Sequence, residues 1–302
     1  MVKENGPRDH AACSFMNKTP LLAVEDEKED GMDQQEQRQL RGTEAEIYER
    51  WLVPAVFAPW AAILIEQAAL QPGERVLDVA SGTGIVARLV AKPVGPAGQI
   101  IGLDNDAERL AVARSLPPLP GVSLAWQEGS VIAMPFADAS FDALLCQQGL
   151  QFFSDRPAAL REMHRVLVPG GRLVLSVWGS LERCPGHAAL VRALEGHLAT
   201  AAASVIRSFF ALGEASEVRS LLAGGPFHKV QLLTAARTVR FASPEQFVRI
   251  EMIPSHPESP LADMDERALL VLISEVNTAL QPYVGPDGLI FPMQAHLVTA
   301  QK

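Results

Sequence analysis

Two rhythms of apolar and polar positions run along this chain. Between Glu74 and Trp178, short apolar runs alternate with stretches of helical spacing. Arg75–Val79, Gln99–Leu103, Val122–Trp126, Phe141–Cys146 and Arg172–Trp178 read as buried strands. Helices are predicted between them, from about Gly84 to Lys92, from a cap at Asn105 through Arg114, and after Asp155 with the stripe Leu160, Met163, Val166 and Leu167. Strands that alternate with helices over short connections predict a parallel sheet covered on both faces. Upstream, Thr43-x-x-Glu46 reads as a capping box before the helical spacing of Ile47, Tyr48, Trp51 and Leu52. Pro54 and Pro59 are expected to break the chain beyond Leu52 into short pieces, with a second helix over about Trp60 to Leu70.

After Trp178 the pattern loosens. Ala188–Ala203 and Glu214–Ala223 read as helices, and Lys229–Phe241 as one long or bent strand. Asp265–Leu280 is amphipathic, with Leu269, Leu272, Ile273, Val276 and Leu280 on one face. Leu289–Ala300 is strand-like and expected to pair with the earlier strand. Residues 1–42 carry Glu4, Asp9, Glu25–Glu27, Glu29, Asp30, Asp33 and Glu36 among scattered bases and no apolar period. They read as a disordered, dispensable tail. The expected division is therefore a tail over 1–42 and a single domain over 43–302. Its core spans about 74–180, with cap elements about 43–70, 185–212 and 243–283.

Composition narrows the function classes. The chain has 302 residues, 48% of them hydrophobic, with a net charge of -9. That charge argues against nucleic acid or an anionic membrane as the main partner. The longest apolar run, Trp51–Ile65, is short and holds two prolines, so no membrane span is expected. Cys13, Cys146 and Cys184 stand far apart, and no two histidines share a helix face at ligand spacing, so no metal site is expected. With no apolar leader at Met1–Pro20, a reducing cytoplasmic location is the default.

The chemistry concentrates after the first strand. Asp78-Val79-Ala80-Ser81-Gly82-Thr83-Gly84 brings small residues to a helix N-terminus, where backbone amides can approach a ligand closely. Asp104 ends the second strand, where a carboxylate can hold two ribose hydroxyls. Gly82-Thr83-Gly84-x-x-Ala87 also satisfies a dinucleotide pattern. Asp78 weighs against that reading, because a carboxylate at the strand end would repel a pyrophosphate and suits a ligand amine instead.

Val76-Leu77-Asp78-Val79-Ala80-Ser81-Gly82-Thr83-Gly84 resembles the first motif of class I S-adenosylmethionine-dependent methyltransferases. The resemblance continues through Ile101–Asp104, Glu128–Ser130, Met134–Asp142 and Arg165–Leu173, closest in style to the ubiquinone and menaquinone biosynthesis group (methyltransferase type 11). It implies a Rossmann-like α/β fold: a mostly parallel seven-stranded sheet, an antiparallel last strand and helical cap elements. It implies that Asp78 and the turn Ala80, Ser81, Gly82, Thr83 and Gly84 hold the methionine portion of S-adenosyl-L-methionine. Asp104, with Asn105 beside it, would take the ribose, and Gly129, Ser130 and Val131 would flank the adenine. Gln147 and Gln148 would lie near the sulfonium, and Tyr48 would reach the cofactor. Ser130 stands where the family often has Asp, and a hydroxyl binds the adenine amino group less strongly than a carboxylate.

The expected activity is methyl transfer to a small, largely apolar acceptor. Trp51, Phe57, Trp60, Phe209, Phe210 and Phe291-Pro292-Met293 are candidate walls of its pocket, or plain core. Gln147, Gln148, Gln151 and His187 are candidate polar groups, with His187 expected on the surface. The rival readings are an NAD(P)-dependent oxidoreductase and a non-catalytic cofactor-binding protein. The oxidoreductase lacks a Tyr-x-x-x-Lys site, since Tyr48 and Tyr283 are the only tyrosines.

Overall fold

A computed structural model describes residues 42–197, 200–253, 259–261 and 264–302. The expected tail lies, but for Gly42, outside the described residues. Among the described residues eight strands form one sheet, seven of them on its main path: β1 (Arg75–Val79), β2 (Gln99–Asp104), β3 (Ser123–Glu128), β4 (Phe141–Gln147), β5 (Leu167–Trp178), β6 (His228–Phe241) and β8 (Gly288–Gln301). A two-residue β7 (Val284–Gly285) pairs beside β8. The order is β3-β2-β1-β4-β5-β8-β6. β1 to β5 run parallel, and β8 runs antiparallel to both β5 and β6. This is the expected fold class, with β7 added.

The strand order reverses between β1 and β4. In open α/β sheets the crevice for a ligand lies at such a point, beyond the carboxyl ends of the strands. The opposite ends are tied down by ion pairs. Arg75 grips Asp142 with Nε and Nη2 at 3.1 and 2.9 Å, and Arg172 grips Glu74 at 2.7–2.8 Å.

Alternate residues of the strands enter two cores. Val76, Ala143, Leu145 and Val174 face one, with α2 (Ile85–Val94) and the long first helix. Leu77, Val79, Leu144 and Leu173 face the other, with Leu160, Met163 and Val166 of α4 (Arg156–Val166) and Val218 and Leu222 of α7 (Ala215–Ala223). The outer flank of β2 and β3 carries α3 (Ala107–Ser115).

The first helix, α1 (Glu44–Ala68), corrects an expectation. Neither proline breaks it, because Tyr48–Phe57 winds as a π-helix that absorbs Pro54, and Pro59 sits at the first α-turn after it. Such wide windings concentrate at functional sites. With a mean hydropathy of 1.4, this helix is long and apolar enough to cross a membrane by length and composition alone. Here its Val56, Trp60, Leu64 and Ala68 are buried in the first core.

Four further helices join the first core: α5 (Pro185–Gly196), α6 (Thr200–Ser208), α8 (Pro244–Glu251) and α9 (Glu266–Leu280). The single Ala-rich helix expected over Ala188–Ala203 is thus two helices. β6 and β8 bind them to the sheet. β5 ends opposite Ala295 with Trp178, but the β6–β8 ladder continues to Phe241 opposite Leu289. The overhang carries Phe241, Phe291 and Met293 into the helical region.

Candidate functional site

A cavity of about 760 Å³ opens at the carboxyl ends of the parallel strands. That is ample within the roughly 300–1,000 Å³ usual for ligand sites. It has two ends of different construction.

One end comes from the strand ends themselves. Val79 and Ala80 at the end of β1, Leu103, Asp104 and Asn105 at the end of β2, and Gly129, Ser130 and Val131 after β3 all line it, with Gly82, Tyr48 and Arg109. Ala80 takes a left-handed φ of 55° and Gly82 one of 55°. For a non-glycine residue that conformation costs roughly 1–2 kcal/mol, and it recurs at functional turns. Asp104 is 9% exposed, and both of its oxygens are already aimed. Oδ2 accepts the Gly82 N–H at 2.6 Å and Oδ1 the Asp106 N–H at 2.9 Å. Burial pushes the Asp104 carboxyl up from its ordinary range, opposed by those two donors. Each oxygen keeps a lone pair for a ligand hydroxyl. Tyr48 lies under the Arg109 guanidinium, 4.5 Å from ring centroid to Cζ, and Arg109 is held by Glu44 at 2.8 Å.

Several expected ligand residues have other tasks. Asn105 lines the cavity but does not cap α3; Asp106 does, accepting from the Glu108 and Arg109 amides. Asp78, Ser81, Thr83 and Gly84 do not line the cavity. Asp78 is 1% exposed, and its Oδ2 accepts the Ala87 N–H at 2.9 Å, so it braces the start of α2 from behind the turn. Burial pushes its carboxyl up to about 8. Its Oδ1 is buried with no hydrogen-bond partner, as are the Ser81 and Thr83 hydroxyls. Gly84 has a φ of 93°, and a Cβ there would come 2.1 Å from Trp126. A Cβ on Gly102 would meet the same indole at 2.4 Å. These two glycines make a slot for Trp126.

The other end is assembled from distant segments. Gln147 and Gln148 close β4, with Gln148 again at a left-handed φ of 55°. Gln147 donates to the Phe57 carbonyl at 2.8 Å and Gln148 to the Ser176 hydroxyl at 3.2 Å. Leu52, Val56 and Phe57 of the π-helical segment, Phe152 and Phe153, and Trp178 form the walls. Val205, Phe209, Ile250, Glu251, Leu261 and Met293 complete them from the helical region and the overhang. Of the apolar candidates, Phe57, Phe209 and Met293 reach the cavity, while Trp51, Trp60, Phe210, Phe291 and Pro292 do not line it. Gln151 is buried and donates to Gln148 instead.

His187 departs most from expectation. It is 3% exposed, not on the surface, and lines the cavity. Sequence reasoning missed Glu251, Val205, Ile250 and Leu261, which carry no local motif. Arg109 and Asp106 were also missed, although their position just after Asp104 was a usable signal. Among the described residues no three His, Cys, Asp or Glu side chains form a metal-holding group.

Residues 77–175 match the family model described as Methyltransferase domain. This stretch is similar to methyltransferase domains. The matched stretch contributes most of β1 to β5 and most of the first end of the cavity. The chain is similar to the 2-phytyl-1,4-naphtoquinone methyltransferase of Synechococcus elongatus, 39% identical over 118 residues, 38% of this chain and 51% of that one. It is also similar to the demethylmenaquinone methyltransferase of Deinococcus radiodurans, 36% identical over 152 residues, 50% of this chain and 63% of that one. The chain thus spans about half the length of the curated relatives it matches first. The YcgJ protein of Bacillus subtilis shares the fold with a TM-score of 0.55 at 21% identity, over 80% of this chain and 97% of that chain.

The residues fit S-adenosylmethionine. Asp104 has two pre-aimed carboxylate oxygens, a donor set that suits vicinal hydroxyls, Ser130 and Val131 line the same end of the cavity, and Gly82 leaves the Tyr48 hydroxyl within reach of the same space.

Proposed function

We propose that this protein transfers a methyl group from S-adenosylmethionine to a small apolar acceptor of the aromatic, quinol type. The single observation that carries the reading is the cavity itself. It joins the carboxylate-bearing strand ends of a methyltransferase domain to an apolar chamber walled by Phe57, Phe152, Phe209, Trp178 and Met293. The relatives' quinone-type names support the same acceptor class.

The cofactor supplies an electrophilic methyl group when bound. The protein's own residues then orient and exclude water. Asp104 and Asn105 hold the ribose side, Tyr48 under Arg109 covers it, and Gly129, Ser130 and Val131 flank the base. Gln147 and Gln148, pinned by Phe57 and Ser176, set the floor between the two ends. The aromatic walls desolvate the acceptor and fix its plane, which supplies proximity rather than chemistry. The oxidoreductase alternative draws no support from the relatives, and a non-catalytic binding role would leave the acceptor chamber without a task. Cys146 and Cys184 are free and buried, and burial pushes their thiols up to about 12 and about 11, which makes them poor nucleophiles.

A turnover assay with methyl-labelled cofactor tests the reading. Label should pass to phenols, quinols or prenylated quinols and release S-adenosylhomocysteine. Label in RNA, DNA or protein, with none in that panel, overturns the acceptor class. Binding of NAD without S-adenosylmethionine by calorimetry overturns the whole reading.

A further inference from the structure

Burial and bonding single out one side chain at the acceptor end of the cavity. Gln147 and Gln148 are buried there, but their amides are committed. Gln147 donates to the Phe57 carbonyl at 2.8 Å, and Gln148 donates to the Ser176 hydroxyl and accepts from Gln151, both at 3.2 Å. His187 lines the cavity too, but its Nδ1 is closed off from solvent and ligand alike. Glu251 is 8% exposed and lines the same chamber. Among the described residues its carboxyl group takes part in no hydrogen bond, and its polar neighbour is the His187 imidazole, 3.3 Å from Nε2 to Oε1. Neither carboxyl oxygen is closed off as the imidazole Nδ1 is, so the surface that Glu251 keeps opens on the cavity it lines.

The position is unfavourable on two counts. Glu251 is the last residue of α8, where the negative end of the helix dipole disfavours an acid. The chamber is lined otherwise by apolar groups such as Phe209, Ile250, Leu261 and Met293, and a buried charge without hydrogen bonds is costly. The neighbouring charge on the same helix is fully engaged: Arg249 bonds Glu245 and Glu266 at 2.8 Å each. Glu251 is left as a polar group in an apolar wall with its bonding capacity unspent. In an open chamber, solvent can meet that need. An apolar acceptor that fills the chamber displaces the solvent. The carboxylate, which when ionised only accepts, then needs a donor from the acceptor itself.

We propose that Glu251 is the recognition residue of the acceptor site, its carboxylate accepting a hydrogen bond from a hydroxyl on the aromatic acceptor. The inference rests on the methyl-transfer reading and deepens it. A ring that carries a hydroxyl satisfies the carboxylate as it enters. The same ring with that hydroxyl capped, or replaced by a methyl group, leaves the carboxylate buried and unmet. A site built to bond a hydroxyl rejects the analogue that lacks it on this ground. The role is recognition, with no covalent or proton-transfer step.

The test uses full-length protein saturated with S-adenosylhomocysteine, and calorimetry with 4-ethylphenol, 4-ethylanisole and 4-ethyltoluene. The wild-type protein should bind the phenol about tenfold or more tightly than the ether or the hydrocarbon, the size of one hydrogen bond to a charged group. Glu251→Leu should abolish that preference by weakening the phenol while binding 4-ethyltoluene at least as tightly as before, a crossing that general damage to the fold does not produce. Glu251→Gln, which keeps one accepting oxygen, should retain part of the preference. Both variants should bind S-adenosylhomocysteine with unchanged affinity. Equal binding of the three probes by the wild type, or an undiminished preference in Glu251→Leu, overturns the proposal. Tighter binding of the cation of 4-ethylbenzylamine than of the phenol also overturns it, by assigning the carboxylate to an amine. The wild-type comparison decides even where Glu251→Leu fails to fold. Failure to bind S-adenosylhomocysteine or S-adenosylmethionine at all would instead sink the methyl-transfer reading, so the two failures are distinguishable.

Discussion

The two ends of the cavity are built on different principles. The cofactor end comes from consecutive strand ends between Val79 and Val131, each placed by parallel pairing in register. Its polar atoms are aimed by the backbone: Asp104 takes two amide hydrogens, and Asp106 takes two more. The acceptor end draws on α1, β4, α5, α6, α8 and β8, and its order comes from packed rings and long-range ladders. A site made by local strand–turn geometry resists change in its ligand. One made by the meeting of distant side chains can change its ligand without disturbing the sheet.

The largest effect should come from the cofactor end. Gly84→Ala forces a Cβ into the Trp126 indole at a positive φ, and strain plus overpacking should cost about 2–4 kcal/mol. Chemical denaturation measures it, and a loss under about half a kcal/mol would break the claim that this turn is sterically fixed. Next, Asp104→Ala should weaken S-adenosylmethionine binding at least tenfold, since two charge-assisted hydrogen bonds at about 1.5–3 kcal/mol each are lost. Calorimetry reads it, and acceptor KM should move far less than cofactor affinity.

A smaller effect separates brace from ligand contact. Buried Asp78 has its folded-state pKa raised from 3.8 to about 8, so the folded protein binds the extra proton between these values. Stability contributed by that proton is present at low pH and is lost as pH rises toward about 8. Asp78→Asn should flatten this decline, as measured by denaturant midpoints across the window. A wild type that grows more stable between about pH 5 and 8 relative to the variant would contradict the sign. The smallest effect should be Phe209→Ala at the acceptor end, raising acceptor KM a few-fold while cofactor affinity stays put.

The same contrast governs what the sequence disclosed. β1 to β5 and the turn Ala80–Gly84 were legible because strand, small-residue turn and helix follow one another within a few residues. Asp104 was legible for the same reason. For Asp78 the motif shows its position in the chain but not the side of the strand to which its carboxylate turns, nor its hydrogen bond from Ala87. Pro54 and Pro59 misled because i to i−4 hydrogen bonding was assumed where the chain winds wider. His187 was misplaced on the surface because its burial depends on Phe210, Phe247 and Phe291, residues up to about a hundred positions away that no periodicity links to it.

The central position of β8 has a consequence in time. β8 is made after β6, yet it lies between β5 and β6 and supplies Met293 to the apolar chamber. At roughly 5–20 residues per second of synthesis, the β1–β5 block can pair while residues beyond it are still emerging. The open edge of β5 then waits for β8, because among the described residues β6 pairs with β8 and not with β5. During that interval the nascent protein has a finished cofactor cradle and no acceptor chamber. It exposes an unpaired apolar edge of the kind that chaperones hold and neighbouring chains adhere to.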